Sequence, residues 1–353
     1  MSSGPPLGVL LVQLGTPDAP EPGPVRRFLR EFLGDRRVLD IPALPRRLLL
    51  EAVILPRRPR ASAAAYRQIW TAEGSPLLVH SRALAAALAL ELGPGFAVAL
   101  GMRYGRPELA GALAELRAAG AERILVLPLF PQYAASSTGS AFARTLELAA
   151  AGWDVPALEL VPAFHGDAGF LAAWVAVARE PLAAFRPDHV LLSYHGLPER
   201  QIRKSDPTGA HCLAREDCCD ALGAANRRCY RAQCAATSRA LAAALGLEPG
   251  RWGMSFQSRL GRTPWIRPYT DECFDALAAR GHKRLAVLCP AFVADCLETL
   301  EEIAIRGREQ WRARGGDELL LVPSLNAHPA WVAALAGIVR ARARSVEPAH
   351  AAG

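Results

Sequence analysis

The chain has 353 residues and a net charge of +7, and its 51% hydrophobic and 21% charged content reads as a globular protein with core enough for two lobes of ordinary size. Its basic residues are mostly arginines scattered through Ala/Leu-rich text, which suits an anionic small molecule or a membrane surface as well as nucleic acid. No apolar stretch reaches the roughly 18 residues needed to span a bilayer, and the N-terminus turns strand-like too soon for a secretory signal, so the expectation is a cytoplasmic protein.

In chain order, strand-length apolar runs stand at 7–14, 96–101, 123–130 and 158–163, then at 188–194, 251–257, 284–289 and 318–323. Helix-patterned Ala/Leu/Arg segments such as 81–92 and 236–245 lie between them. Continuous apolar strands alternating with amphipathic helices specify parallel sheets covered on both faces. Eight strands in two sets of four predict an α/β fold of two similar open lobes with a cleft between them, residues 1–175 and 176–326. A final amphipathic helix over 328–345, within a tail 327–353, packs back on the first lobe.

Between the first two strands, PRRLLLEAVILPRRPR at about 45–60 sets two basic clusters around a short apolar run. It reads either as a helix lying on a membrane interface, where cations meet anionic headgroups, or as a buried helix with basic ends. The second and third strands end in GMRYGRP (101–107) and PQYAASSTGSA (131–141), which place Arg103, Tyr104, Tyr133 and several hydroxyls just after strand ends.

The fifth strand ends in SYHGLP at 193–198. A strand that stops at His195 and breaks at Gly196 and Pro198 delivers an imidazole to the carboxyl-end crevice of the sheet, where ligands bind. There it either accepts a proton near neutral pH or merely caps the strand. The sixth strand opens into the long loop SFQSRLGRTPWIRPYTDE (255–272), where Trp265 can wall a planar ligand. After the seventh comes PAFVADCLETLEEI (290–303), with Asp295 a plausible N-cap and Glu298 and Glu302 at i and i+4 beside Glu301. Such a row either passes a hydrated divalent metal and relays protons, or is a solvated acidic face.

Five of the eight cysteines, Cys212, Cys218, Cys219, Cys229 and Cys234, fall in HCLAREDCCDALGAANRRCYRAQC. In a cytoplasmic chain that density points to thiolate ligation rather than disulfides. The spacing does not fit a zinc ribbon, although His211 could complete a zinc set; a [2Fe-2S] cluster needs four thiolates and tolerates irregular spacing. Adjacent Cys218 and Cys219 is an awkward pair, because neighbouring side chains diverge, so Cys234 could replace either one.

Together LVQLGTPDAP (11–20), EGSPL (73–77), GMRYGRP, PQYAASSTGSA, SYHGLP, the Trp265 loop and ADCLETLEEI resemble the ferrochelatases, in the same order over nearly the whole chain. The resemblance implies insertion of ferrous iron into a porphyrin, protoporphyrin IX before coproporphyrin III, on two Rossmann-like, chelatase-type lobes, with no nucleic acid as partner. It assigns His195 to proton abstraction or metal handling, Glu298 to the carboxylate opposite it and Glu302 to the continuing acidic path. It places Trp265, Leu14, Ser75, Arg103, Tyr104 and Tyr133 about the porphyrin, and Arg57 and Arg58 at the pocket lip beside its propionates. Leu14 stands where the coproporphyrin-using relatives typically have a tyrosine, and Cys296 where many relatives have a histidine. The text from about 208 to 229 looks like the internal insertion on which some bacterial members carry a [2Fe-2S] cluster, held here by Cys212, Cys218, Cys219 and Cys229. Three other readings remain: a porphyrin- or haem-binding redox sensor without turnover; a chelatase placing cobalt in another tetrapyrrole; and a dehydrogenase, which lacks the expected G-x-G-x-x-G after the first strand.

Overall fold

A computed structural model describes residues 5–261 and 263–344. The first four residues of the expected non-signal N-terminus and the tail from 345 lie outside that range. Two four-stranded parallel sheets form the frame. In the first, β1 (Leu7–Thr16), β2 (Phe96–Gly105), β3 (Arg123–Pro128) and β4 (Ala157–Leu160) lie in the order β2-β1-β3-β4. The second repeats that order with β5 (His189–His195), β6 (Trp252–Gln257), β7 (Arg284–Leu288) and β8 (Glu318–Leu321), as β6-β5-β7-β8. All eight expected strands are present. Their runs do not alternate because both faces are covered: Val9, Leu10, Leu11 and Val12 of β1 are all fully buried, odd residues on one face and even on the other.

Leu10 and Val12 pack with Leu109, Leu113 and Leu116 of helix Leu109–Ala118. Val9 and Leu11 share the largest core with Leu84 and Leu88 of helix Pro76–Leu92, Trp174 of helix Ala168–Phe185 and Trp331 of helix Pro329–Arg344. The last helix lies against both of the others, and the rings of Trp331, Phe164 and Phe170 pack on one another. The far face of the second sheet packs Leu191 and Val287 against Phe274 and Trp311.

Two local expectations change. Helix Ala168–Phe185 is by length and composition apolar enough to cross a membrane, although no run of the sequence had been read as long enough. Only about a fifth of it is buried, through Phe170, Ala173, Trp174 and Ala178, and Arg179 and Glu180 interrupt its apolar text. The helix after β7 is capped by Cys296, whose sulfur accepts from the Thr299 N–H while Thr299 Oγ1 accepts from the Cys296 N–H at 3.0 Å. Asp295 instead receives Thr299 Oγ1 at 3.1 Å and Asn326 Nδ2 at 2.8 Å, so its carboxylate ties this turn to the loop after β8 rather than capping the helix.

Candidate active site

Within each sheet the order of the strands reverses beside β1 or β5, and the crevice outside such a switch is where open α/β sheets hold ligands. A cavity of about 650 Å³ lies there, lined from the first lobe by Gln13 to Thr16 and from the second by His195, Phe256, Gln257 and Ser258. That volume is within the range of about 300–1,000 Å³ usual for small-molecule sites. Two glycines let the strand ends come this close. Gly15 has φ +119°, and a Cβ there would stand 1.8 Å from the Tyr104 carbonyl oxygen. A Cβ on Gly196 would meet the Gln257 carbonyl oxygen at 2.9 Å and the Trp265 ring at 3.2 Å.

His195 closes β5 in register with Gln257. Its Nδ1 lies 2.6 Å from the Gly196 carbonyl oxygen, which can only accept, so Nδ1 carries a proton and in the neutral imidazole the lone pair is on Nε2. The imidazole stands between the rings of Trp265 and Phe292, each centroid 6.4 Å away. Trp265 is fixed by its Nε1–H to the Leu260 carbonyl at 2.9 Å.

Glu298, Glu301 and Glu302 all line the same cavity. They reach one wall because the helix that begins at Leu297 widens into a π-helical stretch, Leu300–Gly307. Glu302 accepts from Ser258, through its backbone N–H at 2.8 Å and its hydroxyl. Ser258 manages this with φ 68°, uncommon for a residue with a Cβ. Burial is the main influence on Glu302 and pushes its carboxyl above the usual carboxylate range, against the Ser258 hydrogen bonds and the nearby His195 and Arg306. Gln257 Nε2 donates to the Glu298 carbonyl at 2.7 Å and so ties β6 to this wall.

Of the other expected site residues, Leu14, Arg58, Ser75 and Trp265 line the cavity. Arg58 forms no ion pair or hydrogen bond among the described residues, and its guanidinium is half-buried, which with its surroundings lowers its pKa against the pull of Glu298. Arg57 is exposed just outside. Arg103, Tyr104 and Tyr133 do not form the cavity wall. Asp35 holds the first two: its Oδ2 accepts from Arg103 Nη2 at 2.8 Å, from the Tyr104 hydroxyl at 2.9 Å and from Ser140 Oγ. Burial works to raise the Asp35 pKa, and these bonds with that from the Arg37 N–H outweigh it and leave the carboxyl below its ordinary value. Tyr133 donates its backbone N–H to Gln233 Oε1 at 2.7 Å, across the two lobes.

Phe292, Gln257, Ser258 and Asp35 escaped the sequence reading. Gln257 and Ser258 carried a signal, since they are polar residues at a strand end like His195. Asp35, one acidic residue in a loop, carried none.

The cysteine segment has almost no regular structure and is folded by two polar side chains. Asp206 Oδ2 accepts from the N–H groups of His211 at 2.8 Å and Cys212 at 2.7 Å. Asn226, buried, gives Nδ2 to the carbonyls of Cys218 at 2.9 Å and Ala221 at 2.8 Å. Cys212, Cys218, Cys219, Cys229 and Cys234 are all buried. The sulfurs of Cys218 and Cys219 lie 3.7 Å apart, so these neighbours converge despite their adjacency. Cys229 is a neighbour of both Cys212 and Cys219, and Cys234 of Tyr230. His211 turns Nε2 to the Cys218 carbonyl at 3.1 Å. Among the described residues no group of three or more His, Cys, Asp or Glu side chains is arranged to hold a metal ion.

A family model described as Ferrochelatase matches residues 6–343. The chain belongs to the ferrochelatase family. It is 50% identical over 333 residues to the ferrochelatase of Azotobacter vinelandii (strain DJ / ATCC BAA-1303), covering 94% of this chain and 98% of that protein. To that of Coxiella burnetii (strain Dugway 5J108-111) it is 47% identical over 334 residues, 95% of this chain and 93% of the other. With the Legionella pneumophila (strain Lens) protein it shares 46% over 332 residues, 94% and 98% of the two chains. As a ferrochelatase it is a metal chelatase of the lyase class that serves haem biosynthesis by inserting metal into a porphyrin. SirB from Bacillus subtilis, solved with Fe3+, has the same type of fold, with a TM-score of 0.53 at 14% identity over 97% of this chain and 98% of that one.

Proposed function

We propose that the chain inserts ferrous iron into protoporphyrin IX, with His195 as the base that removes pyrrole protons and Glu298 and Glu302 as the route for metal and protons. In the reaction two pyrrole N–H bonds break, four iron–nitrogen bonds form and two protons leave, with no change of oxidation state. The carrying observation is His195: its Nδ1 is spent on the Gly196 carbonyl, which presents Nε2 as the proton acceptor in a cavity it shares with both glutamates. Glu302, half-buried and with a raised pKa, is suited to take up protons from that imidazole and pass them outward. Trp265 and Phe292 supply flat apolar walls beside the macrocycle.

The choice of porphyrin rests on charge. Of the guanidiniums lining the cavity, Arg200, Arg259 and Arg306 each pair with a carboxylate, and Arg58 does not. One free lining guanidinium, with Arg57 outside, serves the two propionates of protoporphyrin better than the four of coproporphyrin. Apolar Leu14, Phe28, Leu29 and Phe32 suit vinyl groups on the same wall. Anaerobic incubation with ferrous iron and either porphyrin, followed by absorption, tests activity and choice together. Faster metallation of coproporphyrin III overturns the choice, and tight binding without metallation favours the sensor.

We further propose a [2Fe-2S] cluster on Cys212, Cys218, Cys219 and Cys229. At metal–sulfur bonds of about 2.3 Å in a tetrahedron, two thiolates on one metal stand roughly 3.8 Å apart, close to the Cys218–Cys219 separation of 3.7 Å. Two irons divide four thiolates into pairs, so the cluster needs close pairs rather than three ligands about one point, and Cys212 and Cys229, neighbours in the same buried cluster, offer the second. His211, engaged with a carbonyl, is a poor zinc ligand there. When bound, the cluster supplies one-electron chemistry or a structural staple. Iron and sulfide analysis of anaerobically purified protein is the test, and zinc alone rejects the assignment.

The segment 45–60 supports a peripheral contact with the cytoplasmic face of a membrane. Leu44, Leu48, Leu49 and Val53 are exposed beside Arg46 and Arg47, while Leu50 and Leu55 turn inward. Co-sedimentation with anionic vesicles but not with zwitterionic ones is expected, and it should be lost in Leu48→Asp/Val53→Asp. Equal recovery of both proteins with anionic vesicles refutes the contact.

A further inference from the structure

We propose that Arg306, with Arg259, gates the entry of the divalent metal by neutralising two of the carboxylates of the acidic wall. This rests on the reading of Glu298 and Glu302 as the inner metal route. Four carboxylates line that part of the cavity, Glu298, Glu302, Glu301 and Asp271. They are of two kinds. Glu301 Oε2 is paired with Arg306 Nη2 at 3.0 Å, and Asp271 Oδ2 with Arg259 Nη2 at 2.7 Å. Glu298 and Glu302 have no ion pair with a guanidinium among the described residues, and Glu302 is held instead by the neutral donors of Ser258.

The guanidiniums of both pairs stand toward solvent. The side chain of Arg306 is 49% exposed against 14% for Glu301, so the guanidinium covers its carboxylate from outside. The pairing depends on the π-helical stretch. Residues 301 and 306 are five apart, and an α-helix at 3.6 residues per turn would point them about 140° away from each other. The i to i+5 repeat of Leu300–Gly307 brings them to one side. The same wall that widens to turn Glu301 and Glu302 into the cavity therefore also places a cation over Glu301.

A hydrated dication arriving there meets two guanidinium-paired carboxylates as well as two without such a pair, and it must displace the Arg306 guanidinium to use Glu301. Repulsion between a dication and a guanidinium about 6 Å apart in water lowers metal occupancy roughly five- to tenfold, and salt screens it over about 8 Å. The gate holds metal off the inner glutamates by charge, not by closing the passage.

Steady-state kinetics of the whole chain with ferrous iron under anaerobic conditions, and with zinc(II), test this. Arg306→Gln is expected to lower the KM for metal about five- to tenfold, with a smaller effect on kcat and on the KM for porphyrin. The difference should shrink as ionic strength rises. Arg306→Lys should restore the higher metal KM, because it returns the charge without the planar fork; loosening of the helix alone would not be reversed this way. Glu301→Gln should raise the metal KM. If Arg306→Gln leaves the metal KM within twofold of the parent while Glu302→Gln raises it, the gate is wrong and the inner route stands. If Glu298→Gln and Glu302→Gln also leave the metal KM unchanged, the inner route itself fails.

Discussion

Replacing His195 with alanine separates binding from chemistry in a way the site geometry makes quantitative. The imidazole has one usable nitrogen, because Nδ1 is held by the Gly196 carbonyl at 2.6 Å. Removing it removes the whole of the proposed base. A positioned general base contributes about 10²- to 10⁴-fold, which is roughly 2.7–5.5 kcal/mol of barrier, so turnover is expected to fall by that factor. Porphyrin affinity is expected to move far less, since Trp265 is fixed by the Leu260 carbonyl and Arg58 stands elsewhere in the cavity. The assay is paired: porphyrin fluorescence titration for affinity, and single-turnover metallation with excess ferrous iron for rate. Added imidazole should restore part of the rate by occupying the vacated space between Trp265 and Phe292. Turnover within threefold of the parent protein, at unchanged porphyrin affinity, would refute the assignment of His195 as base and shift proton abstraction to the glutamates.

Glu298→Gln, which keeps shape and removes charge, is expected to lower kcat by at least tenfold, and an unchanged rate moves the acidic route elsewhere. Asp35→Asn leaves Arg103 without its carboxylate in a half-buried pocket, and loss of one partner of such a pair costs about 3–5 kcal/mol, read as a fall in Tm. The Asp35 carboxyl titrates below its unfolded value, so its contribution is present above the unfolded pKa and is lost as pH falls through the folded one. Acid unfolding curves of Asp35→Asn should accordingly be flatter than the parent's below about pH 4, and parallel curves would discount the network. Cys229→Ala is expected to abolish bound iron and sulfide while Cys234→Ala retains them; the reverse result would exchange the fourth ligand.

The legibility of the chain differed sharply between strands and side-chain partners. Val9 to Val12 and Val190 to Leu192 are buried on both faces, so each strand reads as an unbroken apolar run, and a histidine or a glutamine at its end marks the ligand side. Glu298, Glu301 and Glu302 were visible as a row, yet the α-helical spacing assumed for them gave no warning of the π-helical turn that sets Glu301 beneath Arg306. The N-cap was misplaced by one residue because Asp caps more often than Cys in general, while here Asp295 is claimed by Asn326 and Thr299. Arg103 and Tyr104 lie inside β2, which runs on to Gly105, rather than just after it, and Asp35, 68 residues earlier, holds Arg103 off the cavity wall.

By itself the sequence determined the two four-stranded sheets, the crevice at their carboxyl ends, the family and the titratable residues delivered there, because burial period and strand-end position are local properties of the chain. Tertiary structure decided what each of those residues faces. The His195 tautomer follows from a neighbouring carbonyl, the raised pKa of Glu302 from burial working against the Ser258 hydrogen bonds, and the convergence of the cysteine sulfurs from Asp206 and Asn226 folding a segment that has no helix or strand. Those contacts join residues far apart in the chain or set by a backbone turn, and no periodicity along the sequence encodes them.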